Sequence, residues 1–268
     1  MDPHKITCMK KYTLITGASS GIGLEMAKIL AAEGNNLILV ARSRDKLEQL
    51  KSELEPGHNI EVKIITKDLS VYEETLSVYD ECNKCGYIVN VLINNAGFGL
   101  YGEFADTPLE DEIRMVSLNI NAVLVLTKLF IKDMKERKEG KILNLASLLS
   151  FLPFPYYSVY SATKTFVLSF SETLAAELKG TGVAVLSLCP GPVDTNFSSP
   201  EMLATKAYSI NKPADPQKVA QAGVNLLRKG KGKKIVGFNN WFISNLPRIT
   251  PDFIMMKIKK NLAKPNLV

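Results

Sequence analysis

Histidine is nearly absent: His4 and His58 are the two in 268 residues. That scarcity limits any chemistry that needs an imidazole base. Long apolar runs are missing as well. The most apolar helical stretch, NAVLVLTKLFIKDM, is interrupted by Thr127, Lys128 and Lys132, and the opening MDPHKITCMKKYTLITG lacks the continuous apolar segment of a secretory signal. A cytoplasmic protein without an integral membrane segment is therefore expected. No repeat, linker or low-complexity tract divides the chain, which argues for one domain over residues 1–268. Basic residues outnumber acidic ones for a formal charge of +6, yet they are dispersed. The nearest run, KGKGKK from Lys229 to Lys234, reads as a solvated turn, so no nucleic-acid partner is expected. Cysteines number four. The single C-x-x-C, Cys82 and Cys85, falls near the end of a predicted helix, where nothing lowers a thiol pKa, so a structural role is expected and no metal site.

What is present is alternation. Short β-rich apolar runs at Tyr12–Thr16, Asn36–Ala41, Ile60–Thr66, Val89–Asn94, Gly140–Ala146, Val183–Cys189 and Lys234–Val236 are separated by segments of helical period. The helices fall near Gly21–Glu33, Arg44–Leu54, Val71–Lys84, Leu109–Arg137, Val159–Lys179 and Pro216–Lys229, with a break in the fourth near Asn119. This order predicts an α/β fold, a single-domain Rossmann-type doubly wound parallel sheet of about seven strands with helices on both faces. Residues 192–216 lack a period and read as a substrate loop. The tail, 241–268, mixes aromatic and apolar residues with lysines; it packs on the domain or serves as a membrane-surface or partner helix.

TLITGASSGIGLEM, Thr13 to Met26, fits two chemistries. As Gly17-Ala18-Ser19-Ser20-Gly21 it matches the elbow that presents a nucleophilic serine. As a glycine-rich loop it brings backbone N–H groups to a pyrophosphate at a helix N-terminus. A serine hydrolase at Ser19 needs a histidine, but His4 precedes the strand and His58 lies in the connection into the third strand, at the wrong edge of the sheet. The dinucleotide alternative is favoured. At the end of the second strand LILVARSRDK has Ala41 where dehydrogenases specific for the 2′-hydroxyl carry an acid and Arg42 beside it, which points to the 2′-phosphate of NADP(H); a merely solvated arginine is the alternative.

The fourth strand ends in INNAGFG, Ile93 to Gly99, followed later by Ser147 in NLAS and by Tyr160 and Lys164 in YSATK. Residues four apart share a helix face. An ammonium about 4 Å from a phenol interacts by roughly 4 kcal/mol at an effective dielectric of 20, enough in principle to bring a tyrosine toward neutral-pH proton exchange. Apolar and aromatic residues near this pair (Phe98, Leu148, Leu149, Leu152, Phe154, Tyr156, Tyr157, Phe197 and Met202) are candidates for a substrate wall that suits an apolar or aromatic ketone or aldehyde.

With TGASSGIG, the Asp68 of KDLS, NNAG, the Asn119 of SLNI, Ser147, Tyr160, Lys164 and CPGPVDT from Cys189 to Thr195 in view, the chain closely resembles the classical short-chain dehydrogenase/reductases from about Lys10 to Gly237. It looks most like NADP-dependent carbonyl reductases of that family. The resemblance implies hydride transfer between NADP(H) and a carbonyl or alcohol, with Tyr160 as general acid, Ser147 holding the substrate oxygen, Lys164 lowering the tyrosine pKa and binding the ribose, and Asn119 fixing a water that relays protons. It implies a cofactor site of Gly17, Ser19, Ser20, Gly21, Ile22, Gly23, Arg42, Ser43, Asp68, Leu69, Asn95, Ala96, Gly97, Pro190, Gly191, Val193 and Thr195. It also implies a homodimer or homotetramer formed by the helices that carry Asn119 and Tyr160. A 3-oxoacyl-carrier-protein reductase and a non-catalytic nucleotide-binding regulator are the alternatives; the region KIVGFNNWFISNLPRITP departs from the glycine-rich ending of the former.

Overall fold

A computed structural model describes residues 10–264 apart from 196, 198 and 249. His4, Cys8 and residues 265–268 of the tail lie outside the described residues.

Seven parallel strands form one sheet: β1 (Lys11–Thr16), β2 (Asn36–Ala41), β3 (Val62–Thr66), β4 (Ile88–Asn94), β5 (Gly140–Leu145), β6 (Val183–Cys189) and β7 (Lys233–Ile235), in the order β3-β2-β1-β4-β5-β6-β7. In β1 and β2 every residue after the first is buried. That is the mark of strands covered on both faces, and it explains why they read as continuous apolar runs rather than alternating ones.

One face is covered by α1 (Gly21–Ala32), α2 (Arg44–His58) and α9 (Pro216–Lys229). Met26, Leu30, Leu47 and Leu50 meet Val219, Val224 and the upper sides of the strands there. The opposite face carries α3 (Tyr72–Lys84), whose last turn holds buried Cys82 just before exposed Cys85, and α5 (Ala122–Arg137), whose Leu126, Phe130 and Met134 are buried. A polar cluster sits inside this face. Asn94 Nδ2 donates to Asn144 Oδ1 at 2.8 Å and to Thr127 Oγ1 at 3.1 Å, and Asn144 Nδ2 donates to Ser171 Oγ at 2.8 Å. These bonds link β4 and β5 to α5 and to α6 (Ser158–Glu177).

The chain crosses from one half of the sheet to the other between β3 and β4, so β1 and β4 are neighbours at the switch point. Loops from their carboxyl ends diverge there and leave a crevice, which is where open α/β sheets hold ligands. His58 ends α2 and leads into the start of β3, at the edge opposite Ser19. The histidine that a Ser19 hydrolase requires is thus not within reach among the described residues.

Two expectations need correction. Instead of a break near Asn119, α4 (Leu109–Val116) runs into α5 through a π-helical turn, Ser117–Asn121, that turns Asn119 inward to complete burial. A widened turn accommodates the polar residue without ending the helix. The resulting 29-residue unit Leu109–Arg137 is long and apolar enough to cross a membrane by length and composition, although Val123, Leu126, Phe130 and Met134 are buried within the domain. Residues 192–216 are not uniformly irregular, since they include α7 (Pro200–Leu203) and α8 (Lys206–Ile210), each capped by a hydroxyl, Ser199 and Thr205. The tail forms α10 (Phe238–Asn245) and α11 (Asp252–Ala263).

Candidate active site

The first loop is shaped by steric demand. Gly17 has φ +66°, and a Cβ there would stand 2.8 Å from Asn95 Nδ2 and 2.9 Å from Ala96 Cα. A Cβ on Gly23 would meet the same amide and the Gly17 carbonyl, each at 2.5 Å. Glycine is required at both positions so that the loops after β1 and β4 can touch. Asn95 then locks the contact, its Nδ2 donating to Thr16 O at 2.9 Å. The α1 N-terminus beyond it carries no side-chain cap from Ser20 and no acidic residue in its first turn. Its N–H groups therefore remain available to an anion, reinforced by the helix dipole. The site thus fits the pyrophosphate of a dinucleotide.

From this loop a cleft of about 630 Å³ runs over the carboxyl ends of the strands. It is lined by Gly17, Ser19, Ser20, Gly21, Ile22, Arg42, Ser43, Asp68, Leu69, Asn95, Ala96, Gly97, Ser147, Tyr160, Lys164, Pro190, Gly191, Val193 and Thr195. Gly23 and Asn119 stand behind the wall rather than in it. Arg42 extends 64% exposed at the end of β2, with its guanidinium 3.8 Å from Asp68. Asp68 also meets Arg114 at 3.3 Å and accepts from Ser70 N and Oγ. Burial opposes ionisation of Asp68, but the Ser70 hydrogen bonds and the two guanidinium groups outweigh it and hold the carboxyl below its usual range. The local sequence places no acid beside Arg42; the fold does.

At the other end stand the three residues expected to carry chemistry. Ser147 caps the turn Leu148–Ser150, accepting from Leu149 N at 3.1 Å, while its own N–H donates to Ser150 Oγ at 3.2 Å. Ser150 in turn donates to Lys164 O at 2.7 Å, which pins the serine loop to α6. Tyr160 and Lys164 lie one turn apart on α6, 8% and 6% exposed, with the lysine Nζ 5.9 Å from the tyrosine ring centre and donating to Leu145 O at 2.9 Å. Burial governs both groups in the cofactor-free protein. Burial pushes Tyr160 up to about 12, opposed by the hydrogen bond from Ser147, and burial pushes Lys164 down to about 8, opposed by Cys189. In both cases desolvation disfavours the charged form.

Asn119, at the π-turn, donates to Phe98 O at 2.9 Å and to Thr163 Oγ1 at 3.1 Å and accepts from Phe98 N at 3.2 Å. Its side chain fastens the loop after β4 to α6. Gly97 fits in the space between: a Cβ there would lie 2.8 Å from Asn119 Oδ1 and 3.4 Å from Lys164 Nζ.

Of the proposed substrate wall, Phe98, Leu148, Leu149, Leu152, Phe154, Tyr157, Phe197 and Met202 do line the cleft. Tyr156 does not; its φ of +66° directs it away, with its ring 5.8 Å from that of Tyr101. Phe197 reaches back over the catalytic end, 5.6 Å between ring centres from Tyr160. Gly99 leaves the room for both rings, since a Cβ there would meet Tyr160 at 3.1 Å and Phe197 at 3.2 Å.

Sequence reasoning missed a whole wall. Tyr208 and Asn211 near α8, Ile243 and Leu246 near α10, and Met255, Ile258, Lys259 and Leu262 on α11 all border the cleft. The last four recur at i, i+3, i+4 and i+7, the signature of one helix face, and that spacing was legible in the tail. The hydroxyl of Tyr101 donates to Ala263 O at 2.7 Å and holds the end of α11 in place.

The comparisons with known proteins agree with this geometry. The profile of the short chain dehydrogenase family matches residues 11–204. Very-long-chain 3-oxoacyl-CoA reductase from Macaca fascicularis is 33% identical over 266 residues, covering 96% of this chain and 81% of that protein. Among solved structures, a short-chain dehydrogenase from Sphingobium yanoikuyae in complex with NADPH superposes with a TM-score of 0.77 at 27% identity, covering 89% of this chain and 93% of the other. The bulky-bulky ketone specific alcohol dehydrogenase from Comamonas testosteroni gives 0.76 at 28% identity, covering 90% and 93%. With a matching profile, a matching sheet and a tyrosine, lysine and serine gathered at the end of a dinucleotide-shaped cleft, the chain belongs to the short-chain dehydrogenase/reductase family and is an oxidoreductase of that family.

Proposed function

We propose that the protein reduces a ketone or aldehyde on an apolar substrate with NADPH, and in reverse oxidises the alcohol. The observation that carries this is the continuity of one cleft, with a glycine loop and Arg42 at one end and Tyr160, Ser147 and Lys164 at the other. Gly17 to Gly23 and the α1 N-terminus hold the pyrophosphate, Arg42 pairs with the 2′-phosphate, and Asn95 to Gly97 with Pro190 to Thr195 enclose the nicotinamide end. When bound, the reduced dinucleotide supplies the hydride for the carbonyl carbon. Ser147 Oγ holds the carbonyl oxygen, and Tyr160 donates its phenolic proton to that oxygen as it becomes an alcohol. A phenol held near pKa 12 stays protonated through the neutral range and is available as the acid in reduction. Lys164 stabilises the phenolate left behind until solvent returns the proton.

The cleft walls favour long or bulky apolar carbonyl compounds. Relatives named as very-long-chain 3-oxoacyl-CoA reductases, 33% identical over nearly the full chain, make 3-oxoacyl thioesters the first class to test. The test follows NADPH oxidation with 3-oxoacyl thioesters and with aliphatic and aromatic ketones and aldehydes, in wild type and Tyr160→Phe. Turnover that collapses in Tyr160→Phe while NADPH still binds supports the proposal. Tight NADPH binding with no carbonyl reduced would instead favour a nucleotide-binding regulator.

A further inference from the structure

Lys259 is the one charged residue that the chain beyond Lys164 contributes to the cleft wall among the described residues. Its neighbours on the same face of α11, Met255, Ile258 and Leu262, are apolar. The residue is only 7% exposed, yet among the described residues no side-chain hydrogen bond or ion pair engages it. Its ammonium is not among the sealed polar atoms without a partner, which among the described residues are Asn94 Oδ1 and Glu112 Oε2. Lys259 borders the cleft, where an anion can approach its Nζ. A lysine stem can cover apolar surface while its head stays wet, but a cation in a mostly apolar wall that feels Asp252 without an ion pair to it is costly unless a closer opposite charge joins it.

Building on the reductase reading, we propose that Lys259 receives an oxyanion of the substrate, so that the preferred carbonyl compound joins an apolar body to a carboxylate or phosphate lodged against α11. Burial depresses the lysine pKa, with Asp252 opposing, and an arriving anion favours the charged form. The dinucleotide does not account for this cation. Its phosphates have the α1 N-terminus and Arg42, whereas α11 packs beside α8 and Tyr101 at the substrate end.

The test measures binding by calorimetry in the presence of NADP⁺, where no ketone can be reduced, so that the outcome is independent of turnover. Two matched pairs are compared: an ω-carboxy long-chain ketone with its methyl ester, and a 3-oxoacyl phosphopantetheine thioester with the pantetheine thioester that lacks the phosphate. Wild type is expected to bind the anionic member of one pair roughly ten- to hundredfold more tightly, and the pair that responds identifies carboxylate or phosphate. Lys259→Met is expected to lose that preference and Lys259→Arg to keep it. Methionine preserves the length of the stem, and an unchanged or higher melting temperature shows that the fold is intact. A preference that survives in Lys259→Met, no preference in wild type for either pair, or an effect of Lys259→Met confined to NADPH affinity overturns the proposal. Lysine-dependent binding in a protein that reduces no carbonyl would sink the reductase reading and leave the anion site standing.

Discussion

Replacing Gly97 with alanine tests how the catalytic end is braced. Gly97 does not have a positive φ, so an alanine there is not strained in its backbone and only space is at issue. The new methyl would stand 2.8 Å from Asn119 Oδ1 and 3.4 Å from Lys164 Nζ. Asn119 cannot yield freely. It is completely buried and tied by three hydrogen bonds to Phe98 and Thr163. Overpacking of this kind costs about 1–3 kcal/mol, and one buried hydrogen bond broken in relief adds about 1–3 kcal/mol. A combined loss of about 2–6 kcal/mol lowers the melting temperature by roughly 4–24 °C for a chain of this length. Displacement passed to Lys164 and, through Thr163, to α6 lowers kcat/KM by about tenfold or more, because reacting groups misplaced by a fraction of an ångström lose much of their advantage. Circular-dichroism melting and NADPH-oxidation kinetics supply both numbers. A double-mutant cycle locates the cause: in an Asn119→Ala background, where the opposing oxygen is gone, Gly97→Ala costs about 1–2 kcal/mol less. An alanine variant that melts within about 1 °C of wild type at undiminished kcat/KM would refute the bracing role.

Arg42→Ala is expected to lower the ratio of kcat/KM for NADPH over NADH by about ten- to hundredfold, since the exposed 3.8 Å pair with Asp68 contributes little by itself and the loss reports the 2′-phosphate contact. An unchanged ratio would remove Arg42 from the cofactor site. Lys164, depressed to about 8 in the fold, binds its proton less readily than in the unfolded chain, so the destabilisation from burying its charge is full below pH 8 and fades as pH rises toward the unfolded value of 10.5. Urea denaturation of the cofactor-free protein should therefore show wild type gaining roughly 3 kcal/mol relative to Lys164→Met between pH 7.5 and 10.5; a flat difference refutes the depressed pKa. Asn144→Ala breaks its bonds with Asn94 and Ser171 inside the core, and a loss of about 2–4 kcal/mol in denaturant unfolding is expected. Stability unchanged from wild type would show that the cluster relaxes without penalty.

Short-range chemistry made the sheet and most of the site legible in the sequence. Strands covered on both faces need continuous apolar runs, so β1, β2 and β6 announce themselves at nearly their true limits. Tyr160 and Lys164 are four apart on one helix, and glycines at 17, 21 and 23 answer to a turn and a helix start, all within a few residues of one another. What the sequence alone left open depends on groups far apart in the chain. Only packing brings Asp68 to Arg42, folds Asn119 against Phe98 and Thr163, and lays α11 along a cleft whose far end is Gly17. Only packing sets the dielectric around Tyr160, where desolvation raises the phenol pKa. Periodicity records which face of an element is apolar, but not what that face will meet or how much water will remain between them.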